Sequence, residues 1–328
     1  MKRRGFIASL GIAALGWPIG AWAQGKKIPR VGVLWHAGSE EEEAIPLGDL
    51  RQGFRHLGYI EGTTLILENR FPAEQYDRFQ ALANELVDLN VDVLVAATRL
   101  AALAAQRATT TIPIVFVVVP DPVGNKLVAS LARPGGNITG LTNMAIDLTA
   151  KRMELLQRAL PDIRRVAALL NPRDPEIARL TLSEFQAAAD GLGLMLHTFE
   201  VRQPGELDYA FTSMAEQKMD GVVNQVDPMF YNECKRIAEL GYLHRLPIIG
   251  HVDKMAESGT LLSYGPDYHV MLRRTAQFVD KILKGTRPSE IPVELPAKFE
   301  MVINLKTAKA LGVTLSSMIL AAADRVID

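Results

Sequence analysis

TIPIVFVVVP, residues 111–120, carries no charge, is dominated by β-branched residues and is punctuated by Pro113 and Pro120. Pro113–Val119 therefore reads as a β-strand. Upstream, Ala101–Ala108 reads as a short helix and Val91–Ala96 as a strand. Before them, Phe79, Leu82, Leu86 and Leu89 keep the 3, 4 spacing of one helical face across Tyr76–Leu89. Further back, Thr64–Glu68 reads as a strand, Leu47–Leu57 as a helix ended by Gly58, and RVGVLW at Arg30–Trp35 as a buried strand. Downstream, Arg133-Pro134-Gly135-Gly136-Asn137 must turn. Short β-branched runs that alternate with amphipathic ones are the pattern of a parallel sheet with crossover helices.

The series then starts again. RLPII at 245–249 answers TIPIV at 111–115, about 134 residues later, and IRRVAALL at 163–170 answers the first strand at the same offset. Between them, Pro175–Leu192 reads as a helix and Met195–Val201 as a strand. Leu207, Phe211 and Met214 mark a helix face, and MDGVV at 219–223 answers VDVLV at 91–95. The period is far longer than the 20 to 50 residues of solenoid repeats, so whole α/β lobes repeat.

Composition fits two packed units in 328 residues: 48% of them are hydrophobic and 22% charged. The formal net charge is −1, and no basic block stands out beyond the first four residues, so nucleic acid is not an expected partner. Lys2, Arg3 and Arg4 precede an apolar stretch from Phe6 to Trp22, and Ala21-Trp22-Ala23 fits signal-peptidase cleavage. Residues 1–23 are expected to be a signal peptide, with the chain periplasmic after export; the Tat and Sec routes both stay open. Cleavage would remove three basic residues and no acidic ones, taking the net charge to −4. No cysteine lies at the cleavage point, so no lipid anchor is expected, and the single Cys234 cannot form an intrachain disulfide.

Doubly wound sheets bind ligands beyond the carboxyl ends of their strands. Two facing lobes would place two loop sets around one cleft. These are Trp35–Ser39, Ala97–Arg99 and Val119–Pro122 in the first lobe, and Asn171-Pro172, Gln225–Pro228 and Gly250-His251 in the second. Ser39, Thr98 and Asp121 are short polar residues at strand ends, where hydroxyls and free N–H groups can hold a carboxylate. Asp227 could instead face an ammonium group. Helix capping and turn formation explain any one of them equally well.

The chain resembles the solute-binding proteins of ABC transporters, in the branch that includes tryptophan- and tyrosine-type binders. RQGFRHLGYIEG at 51–62, YDRFQALANELV at 76–87, the run from Thr110 to Leu141, and the run from Gly265 to Gly312 carry the likeness. It implies a type I periplasmic binding fold, an α/β protein of two Rossmann-like lobes with parallel sheets joined by three crossovers. The crossings are expected near 141–147, 261–263 and 292–299. Lobe one would comprise 28–143 and 263–294, and lobe two 144–262 and 297–328. The resemblance further implies capture of a small-molecule ligand, amino-acid-like by preference, with delivery to an ABC permease in the inner membrane, by a monomer needing no cofactor. Gly38, Ser39, Thr98, Asp121, Asn171, Asp227 and Tyr264 are the ligand contacts it implies. Ser39 and Thr98 would take a carboxylate, Asp227 an amino group, and Tyr264 would line the shut cleft. The run Glu40–Glu43 departs from the family pattern and reads as a solvated face. The loop Gly250–Lys254 also departs from it; His251 there either meets ligand or has no role.

An enzyme is disfavoured. There is no Gly-x-Gly-x-x-Gly after a strand, no Gly-x-Ser-x-Gly, and no His pair at i, i+4 with Glu between them among the six histidines. Cys234 reads as a buried apolar residue. A cytosolic repressor would need a helix-turn-helix where the signal segment lies, whereas an exported sensor feeding a membrane receptor stays as an alternative.

Overall fold

The computed structural model describes residues 27–328; the expected signal peptide lies outside them. In the first lobe the order is β1 Arg30–Leu34, α1 Ala44–His56, β2 Ile66–Arg70, α2 Tyr76–Asp88, β3 Val93–Ala96, α3 Arg99–Ala108, β4 Ile114–Val119 and β5 Ile138–Thr142. The strands pair in parallel in the order β2-β1-β3-β4-β5. The second lobe runs α4 Thr149–Ala159, β6 Arg165–Leu170, α5 Pro175–Leu192, β7 Met195–Glu200, α6 Leu207–Glu216 and β8 Gly221–Asn224. It continues through α7 Pro228–Asn232, α8 Cys234–Leu243, β9 Ile248–Gly250, α9 Asp253–Ser258 and β10 Leu262–Pro266. After α10 Tyr268–Leu283 come β11 Phe299–Asn304, α11 Leu305–Leu311, α12 Ser317–Ala321 and β12 Arg325–Ile327. Its sheet order is β12-β11-β10-β9-β8-β6-β7, parallel except where β10 meets β11.

Each sheet is covered on both faces. Along β1, Val31, Val33 and Trp35 pack with α1 and α10, while Leu34 faces Phe79, Leu82 and Leu86 of α2. In lobe two, Val223 and Ile249 face α4 and α5, while Val222 and Ile248 face α6 and α8. Period-2 alternation between two apolar faces is what a sheet buried on both sides requires. Some boundaries move. Helix α1 begins at Ala44 instead of Leu47, because Pro46 sits in its first turn, where its missing N–H costs no helical bond. Strand β2 begins at Ile66 instead of Thr64, because Thr64 and Leu65 turn back to bond the Ile60 carbonyl.

The second return crossing lies later than the expected 261–263. Residues 262–266 form β10 of the second sheet, and the return to lobe one begins with α10, which packs against α1. Two contacts fix this. Leu262 to Pro266 pair antiparallel with Ile303 to Phe299, and a Cβ on Gly265 would stand 1.8 Å from the His251 carbonyl oxygen, so only glycine fits there. The first crossing runs from Thr142 to Thr149 and the third from Glu294 to Phe299. Arg152, buried in α4, donates to the Ala145 carbonyl of the first crossing at 2.7 Å.

Candidate ligand-binding cleft

The carboxyl ends of the strands in both sheets meet around one cavity of about 1170 Å³, counting the solvent at its mouth. Its walls are largely aromatic and apolar: Trp35, Tyr76, Val118, Tyr231, Tyr268 and Met229 all line it.

Asp227 ends the loop after β8 and caps α7, accepting the Met229 N–H at 2.9 Å. Asn171, after β6, donates its side-chain amide to both Asp227 oxygens at 3.1 and 3.2 Å. These partners are neutral and the carboxyl is 5% exposed. Burial therefore outweighs its hydrogen bonds and pushes its pKa up to about 6. The Asn171 N–H is held by the Gln225 side chain at 3.1 Å, so this polar group is built within lobe two. Across from it, Thr98 caps α3 by accepting the Ala101 N–H at 3.3 Å.

Lobe one supplies strained backbone. Val118 lines the cavity at φ 58°, an unusual conformation for a β-branched residue, and the β4–β5 register breaks beside it. Ala73 and Glu74 are also left-handed, at 55° and 54°. Such geometry costs on the order of 1–3 kcal/mol per residue. The Glu74 carboxyl accepts from Asn232 of lobe two at 2.6 Å, and burial pushes its pKa up to about 7.

The lobes touch at the rim as well. Arg99 reaches Asp174 at 2.5 Å and Glu176 at 2.7 Å, and the Arg173 guanidinium lies 4.6 Å from the centre of the Tyr76 ring. These are contacts of a shut cleft. On the crossover side, Asp253 and Asp49 flank His269, at 3.7 Å from Nε2 and 2.5 Å from Nδ1, and raise its pKa to about 9.

Of the residues expected at the ligand, Thr98, Asn171 and Asp227 line this cavity. Gly38, Ser39, Asp121 and Tyr264 do not. Ser39 Oγ accepts the Glu42 N–H in the turn before α1, and the Gly38 N–H is taken by the Glu42 carboxylate. Asp121 is exposed and caps the Gly124 N–H at 2.9 Å. Tyr264 stacks on Phe299 within the second lobe, because β10 belongs to that sheet; Tyr268, four residues on, takes the place at the cavity.

The acidic run also splits. Glu43 is 1% exposed and accepts the N–H groups of His36 and Ala37, whereas Glu40 pairs with Arg51 at the surface. His251 lines the cavity, bonded through Nδ1 to Asn224 at 2.8 Å, and burial lowers its pKa to about 3, leaving the ring neutral. Among the described residues no group of three or more His, Cys, Asp or Glu is placed to hold a metal ion.

The model of the ABC transporter substrate-binding protein family matches residues 44–327. The chain belongs to that family. A tyrosine-binding protein of Clostridioides difficile is 26% identical over 296 residues, 87% of this chain and 81% of the relative. Two solved structures align over nearly their full length. A conserved domain protein of Vibrio cholerae has a TM-score of 0.84 at 28% identity, with 92% of this chain and 100% of that one covered. An ABC domain from Streptococcus pneumonia in complex with L-Trp has a TM-score of 0.82 at 25% identity, with 91% and 99% covered. The fold is thus the type I periplasmic binding fold, and the family's role is to bind substrate, not to transform it.

Proposed function

We propose that this chain is the periplasmic solute-binding component of an ABC import system, capturing an amino acid in the cavity between its lobes and presenting it to a membrane permease. One observation carries the reading: Asp227, buried in the cavity wall, has only neutral partners. A carboxylate shut away from water needs a cation, and the α-ammonium of an amino acid supplies one. Thr98 and the first N–H groups of α3 face the same space and suit the α-carboxylate. Aromatic walls suit an aromatic side chain, in keeping with the tyrosine and tryptophan named for the two relatives.

The work is capture without chemistry. Closure removes the ligand from water and strengthens each polar contact, and the shut form is what a permease would recognise. Mass spectrometry of small molecules copurifying with the protein, followed by calorimetry with the amino acids found, tests this. Amino-acid binding with micromolar or tighter affinity is expected. A protein that binds no amino acid refutes the reading.

A further inference from the structure

His36 and Glu74 stand apart from the Asp227 group and are not needed to hold an α-ammonium or α-carboxylate. His36 follows β1, is 8% exposed and lines the cavity. Its Nε2 lies 3.4 Å from the Glu43 carboxylate, whose negative charge favours the ring proton on that nitrogen and Nδ1 as an acceptor. That Nδ1 is buried with no hydrogen-bond partner. The atom nearest it in charge terms is the Glu74 carboxylate, itself an acceptor, at 4.0 Å.

His36 Nδ1 therefore has no donor inside the cavity, while the Glu74 oxygen opposite it already accepts from Asn232. The arrangement is held in place from behind. The Glu74 N–H donates to the His36 carbonyl at 2.8 Å and the Ala73 N–H to the Ala37 carbonyl at 2.9 Å, which fixes the left-handed pair at 73 and 74 against the end of β1. The His36 ring stands edge-on to Tyr231. A buried unpaired acceptor is costly, and native proteins leave few of them.

Helix α7 runs between the two polar groups. Asp227 caps its start, and Asn232, which bonds Glu74, is its last residue. Five residues at ~1.5 Å rise span about 7 Å, comparable to the reach from the α-ammonium of an aromatic amino acid to the far edge of its ring.

We propose that His36 and Glu74 form a second polar station that accepts a hydrogen bond from the end of the ligand's side chain, so that the cavity selects aromatic amino acids bearing an O–H or N–H donor over phenylalanine. The proposal rests on the reading of the cavity as an amino-acid site. A phenolic hydroxyl or an indole N–H would supply the missing donor. Phenylalanine would shut His36 Nδ1 away unpaired, and sites built to bond a substrate donor reject analogues that lack one.

Calorimetric titration of the full mature chain with L-tyrosine, L-tryptophan and L-phenylalanine tests it, beside the variants Glu74→Ala and His36→Phe. The second keeps a ring against Tyr231 and serves if the first disturbs its loop. Phenylalanine should bind the wild type at least about tenfold more weakly than the better of the other two. Either variant should bring that ratio below about threefold, Glu74→Ala with a loss of affinity common to all three ligands from its missing contact to Asn232. Equal binding of all three by the wild type, or variants that leave the ratio as it was, overturns the station and leaves the amino-acid reading standing. So does binding confined to amino acids without an aromatic ring. If no amino acid binds at all, both readings fall.

Discussion

The two lobes repeat one architecture but bring different things to the cavity between them. Lobe two presents a polar group complete within itself: Asn171, Gln225, Asp227 and the start of α7 satisfy one another without help from across the cleft. Lobe one presents groups that reach across the cleft for partners. Glu74 meets Asn232, Arg99 meets Asp174 and Glu176, and Tyr76 meets Arg173. One half is thus complete in itself, while the other is tied across the cleft as well. This division gives the binding residues separate roles that substitutions can pull apart.

The largest effect is expected at the self-contained group. Asp227→Ala should weaken binding of an amino-acid ligand by at least about a hundredfold, since the ammonium would be buried without its counter-charge. Circular dichroism should show an intact fold, and calorimetry reads the affinity. Unchanged affinity would show that lobe two does not carry the charge recognition.

Next comes the pH dependence of the ligand-free protein. Asp227 titrates near 6 when folded and near its ordinary value of 3.8 when unfolded, and Glu74 near 7 against 4.5. The folded chain therefore holds more protons than the unfolded one between about pH 4 and 7, and stability falls as pH rises through that window. The Asp227 share amounts to about 3 kcal/mol. Asp227→Asn should flatten the fall in denaturant melts at every degree of closure. Glu74→Gln should flatten it only while the shut cleft buries that carboxyl, so the two variants report the two lobes separately.

A smaller effect belongs to the rim. Arg99→Ala removes interlobe contacts without altering the lobe-two group, and should weaken ligand binding by about three- to tenfold, mostly through faster release in stopped-flow measurements. The smallest effects are expected at Ser39→Ala, Asp121→Ala and Tyr264→Phe. None of these side chains lines the cavity, and affinity should stay within about twofold of wild type.

The strands were legible because buried parallel strands are written as β-branched runs, and the repeat of TIPIV as RLPII exposed the second lobe. The cavity-lining places of Thr98, Asn171 and Asp227 could be read because they stand in the loops after strands, where ligands bind in such sheets. Tyr264 misled because β10 was expected to leave its sheet three residues sooner. In an antiparallel pair with β11 its ring turns to Phe299, and the residue that reaches the cleft is Tyr268 at the start of α10. Glu43 and Glu74 were hidden for another reason. One lies in a run of four glutamates that composition assigns to water, and the other sits on a left-handed backbone that no periodicity marks. Tyr76 and Tyr231 fall in helices, where spacing separates buried from exposed faces but cannot tell a core from a cavity.

The antiparallel ladder between β10 and β11 continues past the sheet, where the Asp267 N–H donates to the Lys298 carbonyl at 3.1 Å. Two of the three connections between the lobes are thereby stitched into a single ribbon as they cross. The stretch that follows the lobe-one end of the third is bonded to β5 in turn, through Thr142 and Glu294. Three strands that could bend as separate cables are reduced to a laminated strap, stiff against sliding in its own plane and compliant to twist. Opening of the cleft would accordingly be channelled into a rotation with few degrees of freedom, and a return to the shut state would bring Glu74 back to Asn232 and Arg99 back to Asp174.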